Sequence, residues 1–117
     1  MQITGEEFVV SFDESSKIIA FEGVIRLHGN DYNDIVKLLQ SVVDERPAMV
    51  TLDLRKLEFL NSSGINHLFK FAVKLRNQSP TELIVKGSSE IPWQQKSLKN
   101  LRTLNRKAEL RWDEFTS

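Results

Sequence analysis

Five residues, Leu60-Asn61-Ser62-Ser63-Gly64, hold the densest chemistry in the chain. An apolar run ends there, and two hydroxyls and a glycine open the segment that follows. Asn and Ser are favoured at helix N-termini, because their side-chain oxygens accept from N–H groups that the first turn leaves unpaired. Those N–H groups, with the partial positive charge of the helix end, also favour an anion. A phosphate on Ser62 would bring about −1.5 to −2 charges to that spot. The helix dipole would stabilise it by roughly 0.3 to 1 kcal/mol. Modification would then leave the fold intact and change only the surface shown to a partner. Plain helix capping accounts for the same residue types, so the turn admits both readings. Gly64 is expected to be structural, since a side chain at a crowded helix start would obstruct.

Hydrolytic chemistry at these serines is not supported. A serine nucleophile needs an adjacent base held by a third group. The Gly-x-Ser-x-Gly signature is missing. His67 lies five residues beyond Ser62 on the same predicted helix and points to a different face. His28 falls in a loop. Neither histidine has metal-ligand spacing with carboxylates, and no phosphate-binding glycine loop or dinucleotide fingerprint occurs. The chain is therefore read as a non-enzyme without cofactor or metal.

A second feature is basic. Between Gln94 and Lys107 stand Lys96, Lys99, Arg102, Arg106 and Lys107 with no acid among them, and Trp93 precedes them. Such a helix could dock an acidic partner or simply be a solvated face. Single-stranded nucleic acid is disfavoured, because the whole chain is neutral and no RNA-binding signature is present.

The elements that must position these residues follow from periodicity. Glu7 to Phe12 reads as a strand, and Lys17 to Arg26 as a second, rich in β-branched and aromatic residues and close enough for a hairpin. Tyr32, Ile35, Val36, Leu39, Val42 and Val43 mark an amphipathic helix, capped near Asn30 or Asp31 and stopped by Pro47. Met49 to Leu54 is a strand, and Leu57 to Leu60 leads into the Ser62 turn. The second helix carries Ile65, Leu68, Phe69, Ala72 and Leu75 on one face and closes over Asn77 to Pro80. His67, Lys70 and Lys74 share the opposite face. Leu83 to Val85 is the next strand, Pro92 opens the third helix, and Ala108 to Trp112 is the last strand. The order β-β-α-β-α-β-α-β predicts an α/β domain over residues 1–117, with a mixed sheet of four to five strands and three helices. Trp112, Phe115 and the first strand could cover a sheet edge or pair with another copy, giving a monomer or weak homodimer.

Composition agrees with one soluble domain. The chain has 117 residues, 40% hydrophobic and 27% charged, and no cysteine, which excludes disulfides and thiolate chemistry. No apolar run approaches a membrane span, and the N-terminus lacks a signal-peptide layout, so a cytoplasmic protein without membrane contact is expected. Sixteen basic residues balance sixteen acidic ones. Met1 to Asp53 nevertheless holds ten acids and four bases, and Leu54 to Ser117 twelve bases and six acids, a split of −6 and +6. If the two halves fold apart from one another, the domain is electrically two-sided and steers a charged partner.

The stretch Val50-Thr51-Leu52-Asp53-Leu54, followed by Phe59-Leu60-Asn61-Ser62-Ser63-Gly64-Ile65, resembles the core of STAS domains, the anti-sigma-factor antagonists and their relatives. There a strand bearing an aspartate runs into an Asp-Ser-Ser-Gly turn whose first serine is phosphorylated. The turn here begins with Asn, and with the phrase Gly87 to Leu101 it is more similar to the SiaC-like branch of bacterial regulatory phosphoproteins, whose turn reads Leu-Asn-Ser or Leu-Asn-Thr. The resemblance spans most of the chain. It implies Ser62 as phosphoacceptor, with Asn61, Ser63, Gly64 and Asp53 in support. It also implies a partner-switching role with a serine kinase, a phosphatase and a target signalling protein. The departure at Asn61 points away from the ordinary anti-sigma-factor kinases. The partner face is expected to use His67, Lys70 and Lys74, with Trp93, Lys96 and Lys99 from the basic helix. A constitutive scaffold or dimerisation domain is the alternative.

Overall fold

A computed structural model of the protein describes residues 1–77 and 81–113. In chain order the elements are β1 (Gln2–Thr4), β2 (Phe8–Asp13), β3 (Ile18–Ile25), a 3-10 turn (Gly29–Tyr32), α1 (Asn33–Glu45), β4 (Met49–Leu60), α2 (Ser62–Asn77), β5 (Glu82–Ser88), α3 (Pro92–Leu104) and β6 (Glu109–Asp113). The expected helix stop over residues 78–80 and the edge role of Phe115 fall outside the described residues.

One sheet holds six strands in the order β1-β2-β3-β4-β5-β6. β1, β2 and β3 pair antiparallel, and β3 through β6 pair in parallel. This exceeds the four to five strands expected. The extra strand is β1, three residues that pair Gln2 with Ser11 and Thr4 with Val9. Three residues show no period, and their extended form comes wholly from pairing with β2. A second difference lies at the first helix, which begins at Asn33 after a 3-10 turn rather than at an Asn30 or Asp31 cap. That turn directs Tyr32 into the core, where it is 2% exposed.

Each parallel crossover moves one place along the sheet in the same direction. Right-handed connections therefore set α1, α2 and α3 side by side on one face, and α2 touches both its neighbours. Val10, Phe12, Ile19, Phe21, Leu52, Leu54 and Val85 form the sheet's share of the core beneath them. Each such side chain contributes about 1.5–3 kcal/mol when fully buried.

Because strand order equals chain order, the acidic half of the sequence lies toward the β1 edge and the basic half toward the β6 edge. The two halves do not overlay and cancel. The molecule is electrically two-sided across the width of the sheet.

β4 is twice as long as its neighbour needs. It runs beside β3 to its end, through two register shifts, but pairs with β5 only from Met49 to Asp53. The outer backbone of its second half is served by α3. Buried Gln94 donates through Nε2 to the Leu54 and Leu57 carbonyls at 2.6 and 3.0 Å, and its Oε1 accepts from the Ser88 N–H at 2.8 Å. Trp93 Nε1 donates to the carbonyls of Leu57 and Glu58 at 3.3 and 3.1 Å. Two side chains of one helix thus stand in for a missing strand, which buried carbonyls require.

Candidate functional site

The tail of β4 ends in buried Leu60 and delivers Asn61 to the start of α2. Asn61 is tied on every side. Its N–H donates to the Ile25 carbonyl at 3.3 Å, and its carbonyl accepts from the Ile65 N–H at 3.0 Å. Its side-chain Oδ1 accepts from the Gly64 N–H at 3.2 Å, the geometry of an N-cap. The Tyr32 hydroxyl donates to the same oxygen in a short hydrogen bond. Nδ2 donates to the Leu27 carbonyl at 2.8 Å. Since a carbonyl only accepts and an amide N–H only donates, these partners fix which end of the Asn61 amide faces which. An aspartate here would set a carboxylate oxygen against the Leu27 carbonyl. That is the physical reason an amide suits this turn.

Gly64 is buried under the same constellation. A Cβ on it would lie 2.2 Å from Leu60 Cδ1 and 2.6 Å from the Tyr32 hydroxyl. The glycine is thus needed for close approach, as expected. Burial pushes the Tyr32 hydroxyl pKa up, so it remains a donor to Asn61.

Ser62 differs from its neighbours. It is the first residue of α2, it is exposed, and its hydroxyl makes no hydrogen bond among the described residues. Ser63 behind it is half-buried. The hydrogen bonds of the turn converge on Asn61, and its most exposed hydroxyl is that of Ser62. The first N–H groups of α2 add a local positive potential there.

Of the other expected site residues, only some gather near this turn. His67 packs its ring on Tyr32, with centroids 4.9 Å apart at 51°. Burial, and then the charge of Lys70, lower the His67 pKa below its ordinary value. Lys70 and Lys74 are exposed and, with His67, border a shallow cleft of about 40 Å³ whose floor includes Val36, Leu39 and Phe71. Lys74 Nζ donates to Gln40 Oε1 across it. Asp53 sits seven residues before Leu60 on the same strand and faces Arg55, whose Nε and Nη2 donate to it at 3.0 and 2.9 Å. Burial pushes its carboxyl up, but the Arg55 contacts outweigh this and hold it below the usual range. Its hydrogen bonds do not reach the turn. Trp93 spends its N–H on the β4 tail, while Lys96 is exposed and Lys99 turns toward β6.

Periodicity gave no hint of Tyr32 as a partner of Asn61, although it is the only tyrosine in the chain and heads the apolar stripe of α1. It also gave none of Phe59, which stands 40% exposed three residues before Ser62, with the Arg26 guanidinium 5.6 Å over its ring.

No protein-family model and no curated protein matches the sequence. Solved structures do match. A chain in the crystal structure of the Pseudomonas aeruginosa diguanylate cyclase SiaD in complex with its activator SiaC superposes with a TM-score of 0.74 at 13% identity, covering 97% of this chain and 99% of that one. SiaC of Pseudomonas aeruginosa gives a TM-score of 0.65 at 11% identity, over 97% and 95%. An anti-sigma factor antagonist from Mycobacterium paratuberculosis gives 0.57 at 17% identity, over 95% and 82%. The fold is STAS-like. Among the described residues of this STAS-like domain no helix is long and apolar enough to cross a membrane. Among its described residues no group of three or more His, Asp or Glu side chains is placed to hold a metal ion.

Proposed function

We propose that the protein is a phosphorylation-controlled interaction module of a bacterial signalling pathway. Its unmodified form binds a target signalling protein and alters that target's activity. A serine kinase places a phosphate on Ser62, and a phosphatase removes it. The carrying observation is the contrast within the turn: Asn61 and Gly64 are held by hydrogen bonds, while Ser62, the more exposed of the two serines, has a hydroxyl that bonds nothing among the described residues. The structural neighbours support the same reading, since SiaC is an activator bound to the diguanylate cyclase SiaD and another neighbour is an anti-sigma factor antagonist. The target-binding face is assigned to the turn, exposed Phe59, and the His67, Lys70 and Lys74 side of α2.

Phosphate on Ser62 leaves the fold standing, because the helix end favours an anion. It weakens target binding, because a dianion at an interface loses water against a surface shaped for a hydroxyl. A loss of about 2–4 kcal/mol lowers affinity roughly 30- to 1000-fold. The test is intact-mass measurement of protein from its own source, followed by binding titrations. Ser62→Ala is expected to keep target binding and block modification, and Ser62→Asp to reproduce part of the loss. If phosphorylated protein and Ser62→Asp bind the target as tightly as the unmodified form, the turn is only a helix cap and the scaffold reading takes its place.

A further inference from the structure

The sheet ends at β6, whose only strand partner among the described residues is β5. The outer edge of Glu109–Asp113 therefore presents backbone N–H and C=O groups that no described strand pairs. Above this edge, α3 and the residues after it hold Lys99, Arg102, Thr103 and Arg106, while Leu110 and Trp112 form the floor of a groove of about 680 Å³. The Trp112 ring lies against Gly87, where an added Cβ would come within 3.0 Å of it. Trp112 is thus fixed on the helix side of the sheet and stays half-buried.

Charge makes this groove unusual. Lys99, Arg102 and Arg106 are exposed and join no ion pair among the described residues. Among the described residues no carboxylate lines the groove. Like charges that converge over an apolar floor without counterions among the described residues favour an anionic occupant. The free edge decides what kind. A strand added to β6 satisfies the open backbone groups, and its alternate side chains fall on one face, alongside Leu110 and Trp112 and beneath the cations. Arginine forks suit carboxylates, which they bind in two-point contacts.

From this combination we infer that the α3–β6 groove captures an acidic, extended segment of a partner protein by strand addition to β6. The segment alternates carboxylate and outward-facing residues over about the length of β6. A nucleic acid matches the charge but cannot continue a backbone ladder. As a long polyanion it would also run against the acidic half of the same molecule. None of the residues that line this groove belongs to the Ser62 turn.

The experiment uses a short dye-labelled peptide alternating glutamate and valine, its lysine-for-glutamate counterpart, and a single-stranded oligothymidine of equal charge. Anisotropy with the whole chain at low ionic strength is expected to show binding of the glutamate peptide and none of the lysine peptide. Arg102→Glu with Arg106→Glu, exposed positions whose folding is checked by circular dichroism, should weaken the glutamate peptide about tenfold or more. N-methylation of alternate peptide amides, which keeps the charge and removes the ladder, should weaken it similarly. The proposal is overturned if the glutamate peptide fails to bind, if the double variant binds it equally well, or if the N-methylated form loses nothing. Tighter binding of oligothymidine than of the peptide assigns the groove to nucleic acid and also overturns it. Peptide-independent self-association that the double variant abolishes assigns it to a second copy and likewise overturns the proposal.

Discussion

Replacing Gly64 by alanine tests whether the Ser62 turn is held as tightly as its contacts imply. Alanine is favoured over glycine within a helix by about 0.8–1 kcal/mol, so a roomy site would be stabilised. The site is not roomy. The added methyl would stand 2.2 Å and 2.8 Å from two atoms of Leu60 and 2.6 Å from the Tyr32 hydroxyl. Neither neighbour has space to withdraw, since Leu60 is 3% exposed and the Tyr32 hydroxyl is bonded to Asn61. Overpacking costs about 1–3 kcal/mol, and crowding from two sides places this case in the upper part of that range. The expected net loss is about 1–2 kcal/mol, or about 4–8 °C per kcal/mol for a domain near this size. Urea denaturation followed by tryptophan fluorescence measures it. A double-mutant cycle with Tyr32→Phe isolates the hydroxyl contact: the double variant should be less destabilised than the sum of the singles by about 1 kcal/mol. Wild-type stability for Gly64→Ala, or strict additivity in the cycle, would refute the argument that Tyr32 and Leu60 dictate the glycine.

Three further outcomes follow from the same contacts. Asn61→Asp should destabilise by roughly 1–2 kcal/mol in thermal unfolding at neutral pH, because it sets two oxygens face to face at Leu27 and regains only part through the helix dipole; equal or higher stability would remove the reason given for an amide. Gln94→Leu should cost about 2–4 kcal/mol in denaturant titration, since the Leu54 carbonyl and the Ser88 N–H lose their only hydrogen-bonding side chain, while Leu57 keeps Trp93. His67 has its pKa lowered in the folded state, so the unfolded chain takes up the proton first. Its contribution is therefore fully present above about pH 6.5, the ordinary histidine value, and is lost as pH falls through the lowered folded value. Comparing Tm against pH for wild type and His67→Gln should show this extra acid sensitivity only in the wild type.

Much of this architecture is written locally. The apolar stripe of α1, the β-branched run of β3, and the small polar turn before α2 each announce themselves, because one residue type repeats at the spacing of one element. The helix start at Ser62 and the crowding at Gly64 were legible because small polar residues and a glycine follow an apolar run. What escaped depends on partners far along the chain. β1 is extended only because β2 lies beside it. The tail of β4 carries Arg55, Lys56 and Glu58, lies beyond the expected strand end at Leu54, and stays a strand because β3 runs alongside it. Gln94 stands in a basic, polar stretch and looks like a solvent-face residue, but it is wholly buried. Asp53 matches the aspartate of the resembling family by position, while its hydrogen bonds go to its own neighbour Arg55.

The order in which the sheet is laid down gives the Gln94 bridge a consequence during synthesis. Every strand pairs with the one just made, so the sheet can accrete as the chain leaves the ribosome, N-terminal end first. The bond from Gln94 to the Leu54 carbonyl breaks that rule, closing a span of 40 residues. Until α3 has been translated and released, the outer edge of the β4 tail has only β3 to hold it, and the Ser62 turn hangs from a strand secured on one side. Any partner that reads the finished shape of that turn therefore meets it only after α3 has joined the sheet.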